Sequence, residues 1–563
     1  MSYFLKQSKL QNGIYLQIYE GRYDPKKKNA VNRCYKKLGY LENLKSEKIP
    51  DPIKYYRDYV EKLNKDQRKL EDEKKAQLIG ESPVKNFGYF LIKTTWNTLN
   101  LDEYLTPYNY MSNFRHDLTK FLESLVYARI VKPCSKLKTY LEVVPKLYET
   151  FDFSRDQMYE TLPFIGENYL KYIETLNYAI AQKFQRNTSN TYFDCTNYYF
   201  EIDYEKGVLQ KGPCKENRPN PIIGQALLLD GDGVPMGMKM YPGNESEQPK
   251  IREVIKELKE THNIKGRTIQ VADKGLNSGD NIYAALKESD GYIFSQSVIK
   301  LPEKEKNWVL SENDYREIKN NEGEVIYKIK SCIDDFPIRV TTNNKKVSID
   351  VTQKRVVTLN IALREKKLIE INKLIEKAKS MCASQAKKSE YGESSKYVDF
   401  KDENGEKALA SINYSKIEED RKFAGYNLIV TSEIKMSDEE IYKVYHNLWK
   451  IEDTFRVLKS ELDSRPAFMQ TTEGIYGHFL ICYYAITLLR LTEIKIFKGQ
   501  YSTYELIDFI RNLELFKTKT QIANLTKASP IVTDISEKLK IGINHLYLNE
   551  KEVNRFFNVK FKI

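Results

Sequence analysis

Apolar positions recur with helical spacing over much of the chain and with strand spacing in separated blocks, and these blocks outline its organisation. Ile14 to Glu20 alternates apolar and polar residues. A Gly/Asp/Pro turn then leads into a basic segment at Val31 to Tyr40, so residues 1–50 read as a small β unit. Tyr55 to Ala76 is a strongly charged helical stretch. From Tyr89 to Phe184 the spacing is helical, with Phe121, Leu122, Leu125, Val126 and Ile130 in one stripe. Residues 51–185 therefore read as an all-helical domain whose stripe is core.

At residue 191 the texture changes. Tyr192 to Ile202 is strand-like and aromatic, Pro221 to Asp230 is a second strand, and Gly231-Asp232-Gly233 turns into a third at Pro235 to Tyr241. Glu247 to Thr261 is helical, and Thr268 to Ala272 is a short buried strand. The order β-β-β-α-β is one that a ribonuclease H-like core gives, although strands alone do not single that fold out. Residues 298–422 then interrupt the pattern. They carry short strands at Glu324 to Lys330, Pro337 to Thr342 and Arg355 to Ala362, a helix at Glu365 to Met381, and a polar run at Ala383 to Lys396. An insertion of this length inside a domain is usually functional or mobile. Tyr426 to Thr431 returns as a strand, and Ser437-Asp-Glu-Glu440 is a capping box that opens a helix read as Asp438 to Leu462. The expected class is α/β: a core formed by residues 186–297 and 423–500, an α+β insertion at 298–422, and a C-terminal helical region at 501–563.

Composition narrows the function. With 563 residues the chain exceeds one hydrophobic core, and 41% hydrophobic with 30% charged residues fits a globular protein with a sizeable core. The net charge of +12 permits a polyanionic partner without requiring one. Between Asp24 and Glu42 lie Lys26, Lys27, Lys28, Arg33, Lys36 and Lys37 with no acid, which suits a solvated basic turn and a DNA-backbone contact equally well. Seven cysteines contain no CxxC pair, so neither a zinc site nor a disulfide framework is indicated, and a reducing cytoplasm fits. The N-terminus lacks the apolar core of a signal peptide, and Phe479 to Leu489 falls far short of the roughly 20 residues of a membrane span. A cytoplasmic protein without a membrane partner is expected.

Three acids stand out for phosphoryl chemistry. Two divalent ions about 3.5–4 Å apart need several carboxylate oxygens converging from separate elements. Asp194 lies within the aromatic strand Tyr-Phe-Asp-Cys-Thr-Asn-Tyr-Tyr-Phe, where an acid disfavours strand formation; alone, it also reads as an edge-strand Asp facing solvent. Asp273 ends the apolar strand Ile269-Gln-Val-Ala272, the kind of strand end where ligands gather, and alone it also reads as a turn residue. Glu452 is the third. On a wheel of about 100° per residue, Val444, Leu448, Ile451, Phe455, Leu458 and Leu462 form the apolar face. Tyr445, Glu452, Arg456 and Lys459 then fall within about 60° along its border. An i,i+4 ion pair between Glu452 and Arg456 is the plainer reading of that helix taken by itself.

The segment Tyr445-His-Asn-Leu-Trp-Lys-Ile-Glu452-Asp-Thr-Phe-Arg456-Val-Leu-Lys459 resembles the Tyr-x2-Arg-x3-Glu-x6-Lys signature of DDE-type bacterial insertion-sequence transposases. Tyr445, Glu452 and Lys459 match by type and spacing. Leu448 stands where the signature has Arg, which leaves Arg456 to supply a cation. Tyr192-Phe-Asp194-Cys-Thr is similar to the family's first catalytic Asp and Val271-Ala-Asp273-Lys-Gly to its second. Ser464-Arg465-Pro466, Gly477-His478-Phe and the stretch from Ala128 to Lys136 are similar to family context, so the likeness spans nearly the whole chain.

The resemblance implies a ribonuclease H-like catalytic domain split by an insertion between Asp273 and Glu452. It implies that Asp194, Asp273 and Glu452 are catalytic and bind two Mg²⁺ ions, with Mn²⁺ as a substitute. Tyr445, Arg456 and Lys459 would contact DNA, alongside Lys26, Lys27 and Lys28. The implied activity is cut-and-paste transposition, in which strands are cleaved at the terminal inverted repeats and the freed 3′-hydroxyl is transferred into target DNA. A homodimer would hold the two ends, in a bacterial cytoplasm and on the nucleoid when DNA is bound. Trp308 and Trp449 read as packing residues, His446 and His478 as structural, and Cys195 as a small buried residue. Two other readings stay open. One is a DNA-binding relative that has lost catalysis, for which Leu448 is the single mark; the other is a two-metal nuclease that cuts without rejoining.

Overall fold

The computed structural model describes residues 2–24, 29–46, 49–74, 82–216, 218–383, 391–401, 407–465, 469–518 and 521–562. The chain divides into two compact units, Met1–Ser82 and Pro83–Ile563.

In the first unit, β1 (Ser2–Leu10), β2 (Gly13–Asp24) and β3 (Asn29–Tyr40) form an antiparallel sheet in sequence order, followed by α1 (Leu41–Ser46) and α2 (Pro52–Lys74). The alternation in β2 works as expected: Leu16 and Ile18 are fully buried, as are Leu44 of α1 and Val60 of α2 nearly so. Helix α2 is tied to β1 by Asn64, whose side chain accepts from the Tyr3 amide at 2.8 Å and donates to the Tyr3 carbonyl at 2.9 Å. The unit therefore closes at Ser82 and not at residue 50, because the charged helix belongs to the sheet. Lys26, Lys27 and Lys28 lie outside the described residues.

The second unit begins with β4 (Val84–Asn86) and a helical region: α3 (Phe90–Thr98), α4 (Leu101–Met111), α5 (Leu118–Val131), α6 (Lys136–Lys138), α7 (Arg155–Glu167) and α8 (Tyr169–Ala181). Asp117 caps α5 and a Ser154–Gln157 capping box opens α7. Next come β5 (Asn190–Tyr199), β6 (Ile222–Leu229), β7 (Pro235–Pro242), α9 (Lys250–Glu260), β8 (Ile269–Ala272), α10 (Gly279–Lys287) and β9 (Gly291–Gln296). The interrupting segment holds α11 (Glu303–Leu310), β10 (Arg316–Lys319), β11 (Val325–Thr342), β12 (Lys345–Asn360), α12 (Ile361–Ala383), β13 (Val398–Lys401), β14 (Lys407–Ile412) and α13 (Tyr414–Lys422). The chain continues with β15 (Tyr426–Thr431), α14 (Asp438–His446), α15 (Trp449–Ser460) and α16 (Thr472–Leu491).

Nine strands join in one mixed sheet of order β10-β11-β12-β15-β9-β8-β5-β6-β7. Strands β5, β8 and β9 run parallel, and their other neighbours are antiparallel. Tyr192, Tyr198, Leu227, Val271 and Ile293 project into a core shared with the helical region and α16. Phe193, Cys195, Leu228, Ala272 and Phe294 project into a second core with Ile251, Val254 and Leu258 of α9. Helices thus cover both faces. Helix α16, apolar on all sides, is buried along most of its length and packs against α5 and α7.

Three expectations are corrected. The short strands at Glu324 to Lys330 and Pro337 to Thr342 are one strand, β11, of 18 residues. Pro337 is tolerated because β10 pairs only as far as Ile329, so no ladder bond is asked of the proline on that side. Asn343 and Asn344, at φ 50° and 59°, make the tight turn to β12. The helix read as Asp438 to Leu462 is two helices. At the break, i+3 bonds run from Leu448 N–H to Tyr445 O (3.0 Å), Lys450 to Asn447 (3.1 Å) and Ile451 to Leu448 (3.1 Å). This overwound turn rotates α15 away from the single-helix wheel. Last, residues 501–563 are not purely helical. They contain α17 (Thr503–Asn512), β16 (Glu514–Lys517), β17 (Ile522–Asn524), α18 (Pro530–Leu539), β18 (Tyr547–Leu548) and α19 (Glu550–Phe556), and the three strands pair with β4 in the order β18-β17-β16-β4. Among the described residues no helix is long and apolar enough to cross a membrane.

Candidate active site

Two aspartates stand side by side because two parallel strands are in register. Phe193 of β5 pairs with Ala272 of β8, and Asp194 and Asp273 are the next residues on each strand. By alternation both follow Tyr192 and Val271 toward the helix-covered core. Asp273 Oδ1 accepts from Ser295 Oγ at 2.8 Å and from the Tyr445 hydroxyl at 3.2 Å. Asp194 Oδ1 accepts from the Cys195 amide at 2.7 Å.

Burial pushes the Asp194 carboxyl up to about 6; Lys215 opposes this, while Glu247 and Asp273 add to it. Burial and then the Asp273 charge drive the Tyr445 hydroxyl far up, with Glu452 adding to the effect. Tyr445 is accordingly a firm donor toward Asp273.

Helix α15 lies over β5. Its Lys459 sits 5.2 Å over the Tyr198 ring and 3.8 Å from Glu216, a carboxylate that Arg465 also pairs with. Arg465 lies over the Tyr199 ring at 5.0 Å, and Arg218 lies over the same ring at 4.4 Å. Burial lowers the Lys459 ammonium, and although Glu216 opposes this, Arg465 and Lys215 add to the lowering. Lys215 donates to the Cys195 carbonyl and stands 3.8 Å from Glu247. Four cations gathered around β5 against Glu216 and Glu247 leave a local excess of positive charge that suits a polyanion.

The expected residues are distributed as follows. Asp194, Asp273 and Tyr445 come together, and Lys459 joins the basic group beside β5. Glu452 is exposed on α15, near enough for Tyr445 to feel its charge. Among the described residues no group of three His, Cys, Asp or Glu gathers closely enough to hold a metal ion, so Glu452 does not close a ready-made cluster. Arg456 is exposed and pairs with Asp453 at 3.5 Å, not with Glu452. Leu448 is buried in the core, as read. Trp308 is half-buried with Lys330 at 5.2 Å from its ring, but Trp449 is 56% exposed, against the packing role expected of it. His478 is buried, with Lys136 Nζ at 2.8 Å from Nδ1 and the Ser464 carbonyl at 2.9 Å from Nε2.

Ser295, Lys215 and Arg465 were not singled out as site residues. Ser295 is findable once β8 and β9 are paired, since Ala272 opposes Phe294 and Asp273 follows. Lys215 lies in a polar loop without any periodic signal. A cavity of about 620 Å³ opens on Asp273, lined among others by Ser295, Tyr442, Tyr445, His446, Asn360 and Lys396.

Residues 221–488 match the transposase DDE domain family. That segment holds Asp273, Tyr445, Glu452 and Lys459, while Asp194 lies before it. The match supports a DDE-type transposase, and the mixed α/β architecture is consistent with it. No curated protein matches the chain.

Proposed function

We propose that the chain is an insertion-sequence transposase of the Tyr/Glu/Lys signature group, which cleaves DNA at the element's ends and joins the freed 3′-hydroxyl to target DNA. The observation that carries this reading is the register of β5 and β8, which sets Asp194 beside Asp273 where the Tyr445 hydroxyl reaches in. The strand order β7-β6-β5-β8-β9, parallel at its centre, supports a ribonuclease H-like core, with residues 298–422 as its insertion.

The donor set fits Mg²⁺, or Mn²⁺ in its place: all-oxygen ligands, with Asp194 carrying a raised proton affinity that a cation would relieve. Asp194 and Asp273 would hold it, and the exposed Glu452 side chain, free to change rotamer, would complete the set. When bound, two such ions activate the attacking hydroxyl and stabilise the leaving oxygen of an in-line displacement. Tyr445 and Ser295 orient the Asp273 carboxylate. Lys459, Arg465 and Lys215 draw the phosphate backbone along β5, and Arg456 offers a further cation on the exposed side of α15. The basic N-terminal run Lys26, Lys27 and Lys28 adds a contact to the terminal repeat. Since two ends must be joined, the working form is a homodimer on DNA, in a bacterial cytoplasm.

The test is incubation with Mg²⁺ and a duplex carrying the flanking element's end, comparing wild type with Glu452→Gln. End cleavage by wild type, with binding but no cleavage by the variant, is expected. Equal cleavage by both removes Glu452 from the site. Specific binding without cleavage by either points to a DNA-binding protein without catalysis.

A further inference from the structure

The N-terminal sheet has one covered face and one open face. Leu16 and Ile18 point to the covered side, where α1 and α2 contact the strands. The opposite side is traced by side-chain contacts. Phe4 stacks on Tyr19 with centroids 5.9 Å apart, Lys6 Nζ lies 4.6 Å over the Tyr19 ring, and Tyr15 meets Tyr40 edge-on at 4.9 Å. Gln17 faces Cys34 between them, and Lys37 pairs with Gln17 in the ladder. Phe4 is 38% exposed, Lys6 and Lys37 are exposed, and Tyr15 and Tyr19 are partly so. A soluble protein ordinarily buries such rings or surrounds them with mixed charge. Here residues 1–40 hold nine Lys or Arg against Glu20 and Asp24, a net +7 of the chain's +12.

We propose that this open face binds unpaired DNA, with bases stacking on Phe4 and Tyr19 and phosphates held by Lys6 and Lys37. Aromatic rings standing on an open antiparallel sheet offer π-faces that bases inside a duplex cannot reach, and flanking lysines follow a flexible backbone. Flat rings at the centre with cations around them fit a single strand better than a groove edge, which calls for polar side chains. That the strand is DNA and not RNA rests on the transposase reading; the binding face itself does not.

The experiment is fluorescence anisotropy of the full chain with labelled oligo(dT) of about 15 nucleotides, competed by duplex DNA and by oligo(U). Oligo(dT) is expected to bind more tightly than oligo(U), and duplex DNA to bind through the catalytic face whether or not Phe4 and Tyr19 are present. Phe4→Ala with Tyr19→Ala should weaken it by about 10- to 100-fold, while Tyr19→Phe alone keeps it. Lys6→Gln with Lys37→Gln should reduce the slope of log affinity against log salt by ~1.4. This second pair decides the matter if the alanine pair unfolds the unit by circular dichroism. Unchanged oligo(dT) affinity in a folded alanine pair, an unchanged salt slope in the lysine pair, an equal loss of duplex affinity in the alanine pair, or preference for oligo(U) overturns the proposal. Cleavage of the element's end by wild type in Mg²⁺, measured alongside, scores the catalytic reading separately from strand binding.

Discussion

The Tyr445 hydroxyl donates to Asp273 Oδ1 at 3.2 Å across 172 residues of chain. This bond fastens α14 to the end of β8 and couples the helix pair carrying Glu452 to the paired aspartates. Ser295 at 2.8 Å occupies the same carboxylate oxygen.

Removing that hydroxyl tests its orienting role. Tyr445→Phe leaves the half-buried ring in place and takes away one donor, an interaction of about 1.5–3 kcal/mol to a charged acceptor. End cleavage should slow by roughly 10- to 100-fold, with thermal stability little changed. The measurement is single-turnover cleavage over a Mg²⁺ titration, and a wild-type rate at every concentration would exclude the role.

Asp194 predicts an unusual pH dependence in metal-free protein. Its carboxyl keeps a proton to about pH 6 in the fold but releases it near 3.8 when unfolded. The folded state therefore binds the extra proton between these values, and stability declines as pH rises through about 6. The loss is up to about 3 kcal/mol. Asp194→Asn should flatten this part of the profile and unfold at higher urea than wild type at pH 7.5. If both proteins follow the same curve in EDTA, the carboxyl is not strained by burial.

His478 is held at both ring nitrogens, by Lys136 and by the Ser464 carbonyl, in full burial. The imidazole lies well below 6.5 because burial and the Lys136 charge disfavour its protonation. The unfolded chain takes up the proton that the fold refuses, so stability falls as pH drops below about 6.5. His478→Leu strands the Lys136 amine and should cost about 2–4 kcal/mol at pH 8, with a smaller further loss at pH 5.5. Urea midpoints at the two pH values report both effects, and an unaltered midpoint at pH 8 would contradict the buried pairing.

Gly166 is where α7 crosses α16. A Cβ added there would overlap the Glu473 carbonyl oxygen, and one at Gly477 would meet the Leu162 carbonyl from the other side. Backbone atoms cannot yield as a side chain does, so Gly166→Ala should destabilise by about 3 kcal/mol or more. Differential scanning fluorimetry gives the readout: a melting temperature within a degree of wild type would mean that the helices can separate.

Much of the core strand pattern was legible because period-2 alternation and the Gly231-Asp232-Gly233 turn are local signals. Asp273 was legible as a strand terminus for the same reason. What could not be read was pairing. The coincidence of Asp194 with Asp273 depends on a parallel register between segments about 80 residues apart, which no window of sequence encodes. The helix break at Asn447–Leu448 was hidden because both residues keep right-handed helical backbone angles and only the hydrogen-bond span shortens. The wheel also set Arg456 beside Glu452 as an i,i+4 pair, whereas its ion-pair partner is Asp453. The basic group around Tyr198 and Tyr199 was legible only in part: Lys459 was read on its helix, but Lys215 joins it from a loop about 240 residues earlier, with no periodic signal.

Strand β15 is hydrogen-bonded on one side to β9 and on the other to β12, which belongs to the interrupting segment. Residues 298–422 are therefore not a removable appendage. Excising them would strip β15 of a six-residue ladder and leave a row of unsatisfied amides and carbonyls two strands from Asp273, a template on which neighbouring molecules would add strands. A trimmed version of this protein should emerge as aggregate instead of a minimal enzyme, and engineering that seeks a smaller one has to begin by supplying a substitute for β12.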